Sequence, residues 1–153
     1  MALRTITINN FSLQDTNFRT KDILFHQQPS KMIDIEMNAR RDGYNVKNVY
    51  YTEKNITVNG MIIGSTASDL ETKIHSMKEA TSGTDLNIDI VENGNTYRYV
   101  GTVQKISMQE QHYHISRVPF TMIIKCKPFG QSPTQSTYSI TYTTNTASTF
   151  NPT

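Results

Sequence analysis

Between residues 54 and 80 the spacing of apolar side chains changes period, and this change constrains the fold more than any other stretch of the chain. Ile56, Val58, Met61 and Ile63 run through a segment rich in β-branched residues, whereas Ala67, Leu70, Ile74 and Met77 recur at three- and four-residue intervals. The first pattern predicts a strand and the second an amphipathic helix. The junction is Gly64-Ser65-Thr66, where a glycine relaxes the backbone and a hydroxyl can accept from the unpaired N–H groups of a first helical turn. Ser68 and Glu71 also fit a capping box, so either hydroxyl can begin the helix. A helix is therefore expected at about 66–80, with Leu70, Ile74 and Met77 joining Ile56 and Val58 in the core.

The other segments predict strands. Residues 4–8 alternate Ile6 and Ile8 with threonine before an Asn9-Asn10 turn. Residues 14–28 give no period; an irregular excursion pinned by Phe18, Ile23, Leu24 and Phe25 is expected there. In residues 31–37, Ile33, Ile35 and Met37 share one face while Asp34 and Glu36 take the other, the pattern of a half-solvated antiparallel strand. Asp42-Gly43 signals a tight turn, and extended structure resumes at Val49-Tyr50-Tyr51. After the helix, Gly83 stands where a terminating glycine is expected. Residues 86–91 alternate, Asn93-Gly94 is a hairpin-turn dipeptide, and residues 96–106 return as a long strand. Gly101 inside that strand implies a bulge or a close backbone approach, and Pro119 inside residues 112–127 implies an edge, a bulge or a bend. Beyond Gly130 the composition turns to Ser, Thr, Gln and Asn. Residues 138–142 can add an edge strand, but the stretch as a whole is expected to be an arm or linker. The expected organisation is one domain over 1–130 and a polar arm or linker over 131–153.

Composition narrows the function classes. Fifteen Lys and Arg against thirteen Asp and Glu leave little net field, which disfavours binding to nucleic acid by charge alone. The hydrophobic fraction is 36%, below the usual range of about 45–50%. A thin, strand-rich domain that completes its burial against partners is expected. The single cysteine, Cys126, lies among Phe120, Met122, Ile123 and Ile124 and reads as a small buried hydrophobe. No apolar run has the length of a membrane span, and residues 1–11 lack a signal peptide's apolar centre.

Candidate chemistry is sparse. His112 and His114 point the same way on a strand, but two histidines do not complete a metal site. Asp34 with Glu36, and Asp85 with Asp89, fit solvated strand faces, and His26 and His75 fit packing or surface roles. Gly60 and Gly64 lack the lysine and hydroxyl of a phosphate loop, and no nucleophile motif organises the serines and histidines. No catalytic, cofactor-binding or metal residues are expected, and no enzyme activity. Tyr97, Arg98 and Tyr99 superficially resemble a single-strand-binding surface of an OB-like module. Arg40, Arg41 and Tyr44, with Tyr50 and Tyr51 nearby, suggest a contact loop, because arginine and tyrosine concentrate at interface hot spots.

The order of several of these pieces resembles the N-terminal domain of phage distal tail proteins. The matching residues are Gly43-Tyr44; Lys54, Ile56, Val58, Gly60, Ile62 and Gly64; Asp69, Leu70, Ile74 and Met77; the 86–90 strand; Asn93-Gly94; Tyr97-Arg98-Tyr99; Pro119-Phe120-Thr121; and Pro128-Phe129-Gly130. The resemblance implies a mainly β fold with one helix (α+β): a β-sandwich of antiparallel strands flanked by the single helix, similar to tail tube proteins and carrying a long hairpin. It further implies a structural virion protein of a long-tailed phage, six copies of which close into a ring between the tail tube and the baseplate or tail tip. Its partners would be itself, tube protein and baseplate proteins, with DNA only as passing cargo and no membrane. Assembly would take place in the bacterial cytoplasm. On this reading Arg40, Arg41, Tyr44, Tyr50 and Tyr51 make protomer contacts, and the turn at Asn93 and Gly94 faces another ring or the lumen. A tail tube or tail-completion protein of the same fold is the nearest alternative, and the OB-like binder is the alternative from another class.

Overall fold

The computed structural model describes residues 4–38, 42–109 and 116–131. Nine strands and one helix follow one another in it: β1 (Thr5–Ile8), β2 (Phe11–Ser12), β3 (Phe18–Leu24), β4 (Lys31–Met37), β5 (Tyr44–Tyr51), β6 (Lys54–Ile63), α1 (Ala67–Ala80), β7 (Leu86–Glu92), β8 (Asn95–Met108) and β9 (Arg117–Cys126). Seven strands form one antiparallel sheet in the order β2-β1-β7-β8-β9-β6-β3, and β4 with β5 forms a separate two-stranded ribbon.

The large sheet folds over on itself into a sandwich. Its two ends meet although they lie farthest apart in strand order: the Arg4 guanidinium donates to the Ile23 carbonyl of β3 at 3.3 Å, and the Thr20 hydroxyl donates to the Leu13 carbonyl just beyond β2 at 2.7 Å. The inward faces then close a single core. Ile56, Val58 and Ile62 of β6 align with Ile124, Met122 and Val118 of β9. Ile6, Ile8, Ile88 and Ile90 fill the opposite side, and all are buried in one cluster with Leu70 and Met77 of the helix. Of the expected core residues, Ile56, Val58, Leu70 and Met77 are buried, and Ile74 packs against the cluster half-buried.

Side-chain chemistry at the 64–66 junction decides where the helix starts. Thr66 is the N-cap, its hydroxyl accepting from the Asp69 backbone N–H at 3.2 Å, while the Asp69 carboxylate accepts from the Ser65 N–H at 2.8 Å. The reciprocal capping pair is thus completed by Asp69 and not by Ser68 with Glu71. A Cβ on Gly64 would come within 2.8 Å of the Leu70 Cβ, so glycine lets α1 fold back against β6. The other end departs from expectation. Thr81 caps it, its hydroxyl donating to the Met77 carbonyl at 2.7 Å, and Gly83 has no positive φ.

Further expectations are sharpened or corrected. Residues 18–24 are a strand and not an irregular excursion; a register shift between Thr20 and Asp22 leaves Lys21 over, which breaks the alternation that would reveal the strand. Gly101 is a close approach, since a Cβ there would lie 2.6 Å from both the Cys126 Sγ and the Lys125 carbonyl, and the bulge in β8 falls between Val103 and Lys105. Pro119 occupies a central strand without breaking it. Its carbonyl accepts from Gln109 just past the end of β8, and because N and carbonyl of a strand residue point the same way, its missing donor faces the place where the ladder with β8 ends. Asn93 and Gly94, at φ 52° and 80°, form the two-residue turn between β7 and β8.

Candidate assembly surface

The β4–β5 ribbon projects from the sandwich, and every one of its residues is exposed. The sequence pattern suggests a strand buried on one face; the two faces form as expected, but the described residues leave both exposed. Pairing places Ile33 opposite Val49, Ile35 opposite Val46, Met37 opposite Tyr44, and Lys31 opposite Tyr51. One face therefore carries Ile33, Ile35, Met37, Tyr44, Val46, Val49 and Tyr51, exposed by between 44% and 77%. The other face carries Asp34, Glu36, Asn45 and Asn48, with Met32 opposite Tyr50. Soluble monomers rarely leave contiguous apolar patches beyond about 300–600 Å² uncovered, and seven large side chains in one block reach on the order of that limit.

Two groups of contacts hold the root of the ribbon. On the entry side Phe25 is buried, the His26 ring stacks on it with centroids 4.1 Å apart, and His26 Nε2 lies 2.9 Å from a Glu92 carboxylate oxygen. Arg4 pairs with the other oxygen of Glu92 and stands over the Phe25 ring. The Arg4 hydrogen bond holds the Glu92 carboxyl below its ordinary pKa, assisted by His26. On the exit side the Thr52 N–H donates to the Ser30 carbonyl at 2.8 Å, and the Lys31 ammonium stands 5.2 Å over the Tyr51 ring. Tyr51 meets Phe129, which follows β9, edge to face.

The expected contact residues divide. Tyr44 and Tyr51 lie on the apolar face, and Tyr50 lies on the opposite, more polar one. Arg40 and Arg41 fall outside the described residues, as do His112, His114 and the 138–142 stretch. Asn93 and Gly94 form an exposed turn in the main sheet, separate from the ribbon. Sequence reasoning passed over Ile33, Ile35, Met37, Val46, Val49 and Phe129 as contact residues. Their alternation was visible, but alternation identifies a face and not whether the same chain buries it.

At Tyr97, Arg98 and Tyr99 the stacking surface that an OB-like nucleic-acid binder would need is not formed. Tyr99 is buried, its hydroxyl accepting from the Lys54 ammonium at 3.3 Å, and Tyr97 lies on the same side of β8, packed against Phe25. Arg98, on the other side, is forked onto Asp89 with two bonds of 2.7 Å. The buried Lys54 is a further feature that the sequence did not mark: its stem lies in the core and its ammonium stands 4.7 Å over the Tyr99 ring. Among the described residues no three His, Cys, Asp or Glu side chains gather into a metal-binding group.

Residues 6–110 match the family model of the phage tail protein RIFT-related domain. Among solved structures the chain is similar to the Dit protein of phage SPP1, whose crystal structure is titled a paradigm of the hub adsorption apparatus in phages infecting Gram-positive bacteria. The TM-score is 0.67 at 16% identity, covering 86% of this chain and 53% of that one. The chain thus spans about half the length of the SPP1 protein, and at this identity the likeness is one of fold. No curated protein matches the chain in sequence.

Proposed function

The chain belongs to the phage tail protein RIFT-related domain family, and on that footing we propose that it is a ring-forming structural protein of a long-tailed phage, placed at the distal end of the tail tube. The family is one of phage tail proteins, which supports a structural and not an enzymatic role. Six copies would close the ring, joining the tube to the baseplate or tail tip, and the residues beyond 130 would serve as a polar arm. Assembly would occur in the host cytoplasm, with DNA passing through the lumen.

One observation supports the assembly reading above the rest: an exposed ribbon with seven large apolar side chains on one face, attached to a sandwich whose core is otherwise complete. A heterologous contact between copies buries such a face at every interface of a closed ring. Tyr44 and Tyr51 are contact residues on this reading, with Arg40 and Arg41 in the connecting loop. Tyr50, an expected contact residue on the other face, would meet a neighbour from that side, and Asn93 and Gly94 would face another ring or the lumen. Labelling the protein in assembled tails with a gold-tagged antibody tests the position: label confined to the tip supports a distal ring, and label along the whole tail identifies a tube protein.

A further inference from the structure

In a regular antiparallel ladder side chains alternate faces on both strands, so one extra residue on one strand reverses the phase of everything beyond it. The β4–β5 ribbon contains such a residue. Lys31, Ile33 and Asp34 pair with Tyr51, Val49 and Asn48, but the next partners are Ile35 with Val46 and Met37 with Tyr44, which leaves Lys47 over. Counted along β5 alone, Tyr51 and Val49 have one parity, and Val46 and Tyr44 have the other. Unbulged, β5 would divide its apolar residues between the two faces. The extra residue restores them to one face, opposite Ile33, Ile35 and Met37. Lys47 itself is kept on the polar face, its ammonium 3.3 Å from a Glu36 carboxylate oxygen.

We propose that the bulge at Lys47 is the phase-setting device of the assembly surface: it makes the ribbon one-sided, and the apolar side it creates is the seat for a second copy of this chain. The inference rests on the ring reading above. A second copy is the occupant favoured by three observations. The seven apolar residues of the face are each at least 44% exposed. The block is on the order of 600 Å², the upper end for a monomer's largest bare patch, and would supply most of the roughly 800 Å² per partner that a standard contact buries. Lys31, paired with Tyr51 at the root of this face, is the one charged residue the two strands place on it, and Lys47 is engaged with Glu36 on the opposite face, so beyond its root the face offers apolar side chains alone, which suits an equally apolar partner.

Two one-residue changes separate phase from shape. Deleting Lys47 leaves a regular ladder with the same pairs and the same apolar face. Inserting one threonine between Asp34 and Ile35 gives Lys47 a partner, also regularises the ladder, and moves Ile35, Met37, Val46 and Tyr44 to the face opposite Ile33, Val49 and Tyr51. Mass photometry and sedimentation over a range of concentrations are expected to show the oligomer for the full chain and for the deletion, and its loss for the insertion. At concentrations low enough to keep each of them monomeric, all three should melt alike, because the ribbon lies outside the sandwich core. The double variant Ile35→Thr with Val46→Thr, which keeps the register, should lose the oligomer as the insertion does. If the insertion and the double variant both assemble, the apolar face is not the seat and the inference fails while the ring reading stands. If the deletion loses the oligomer, the bend of the bulge matters and not the phase, which also overturns the inference. A full chain that stays monomeric at every concentration overturns the ring reading itself.

Discussion

Tyr51 and Phe129 meet edge to face, with ring centroids 5.0 Å apart and planes at 69°. Tyr51 is the last residue of the ribbon and lies on its apolar face; Phe129 belongs to the segment that follows the last strand of the sandwich. The pair extends the apolar strip from the ribbon onto the body of the domain. Such aromatic pairs contribute about 0.5–1.5 kcal/mol beyond their buried area. Phe129→Ala is therefore expected to leave sandwich melting nearly unchanged and to weaken self-association by about two- to twelvefold. Hydrogen exchange at the Tyr51 and Thr52 amides should rise in parallel.

Gly60 lies under the Phe120 ring, where a Cβ would come 2.7 Å from the Phe120 Cζ and 2.8 Å from the Arg19 carbonyl. Neither neighbour yields easily, since one is a core ring packed between strands and the other is backbone. Gly60→Ala is expected to destabilise the fold by about 1–3 kcal/mol, read as a melting temperature lower by several degrees with the same circular dichroism spectrum.

The Asp69 carboxyl is held down from 3.8 to about 2, chiefly by its hydrogen bond from Lys73 and then by the Ser65 backbone N–H. The folded chain is thus the weaker proton binder at this site. Its contribution to stability is complete above the ordinary carboxylate value, declines as pH falls from about 4 towards 2, and is absent below. Asp69→Asn should lower the melting temperature at neutral pH and flatten its pH dependence between pH 4 and 2. An unchanged slope would place the acid sensitivity elsewhere, and Glu92, held down by Arg4, is the next site to examine.

Burial pushes the Cys126 thiol up to about 12, and the side chain is closed over by the backbone of Gly101. Thiolate is the reactive form, so a maleimide at neutral pH should label the unfolded chain fully and the native chain slowly. The labelling rate in the native state then follows opening of the β8–β9 pair, where Gly101 and Cys126 are partners.

Much of the sandwich was legible because its signals are local. The change of period at residue 64, the Asn93-Gly94 turn and the alternation of Leu86, Ile88 and Ile90 each follow from neighbours within a few residues. β3 was missed because Lys21 interrupts its alternation with an unpaired residue. The same physics hid the candidate site. Without the bulge at Lys47, Tyr44 and Val46 read as if on the opposite face from Val49 and Tyr51, so the one-sided character of the ribbon emerges only from its register. Whether an alternating strand is covered by its own chain is a tertiary fact, and Ile33, Ile35 and Met37 carry the same pattern as the buried Ile88 and Ile90. Lys54 was opaque for a related reason: only the fold brings Tyr99 over its ammonium.

In the proposed assembly the ribbon's apolar face joins copies of this chain into a closed ring. Negative-stain electron microscopy of the purified full chain, paired with its mass in solution, tests this most directly. Uniform rings of one size are expected, with a mass that is a fixed multiple of the 17.4 kDa chain. A single species of 17.4 kDa at all concentrations, with no rings on the grid, would contradict this assembly.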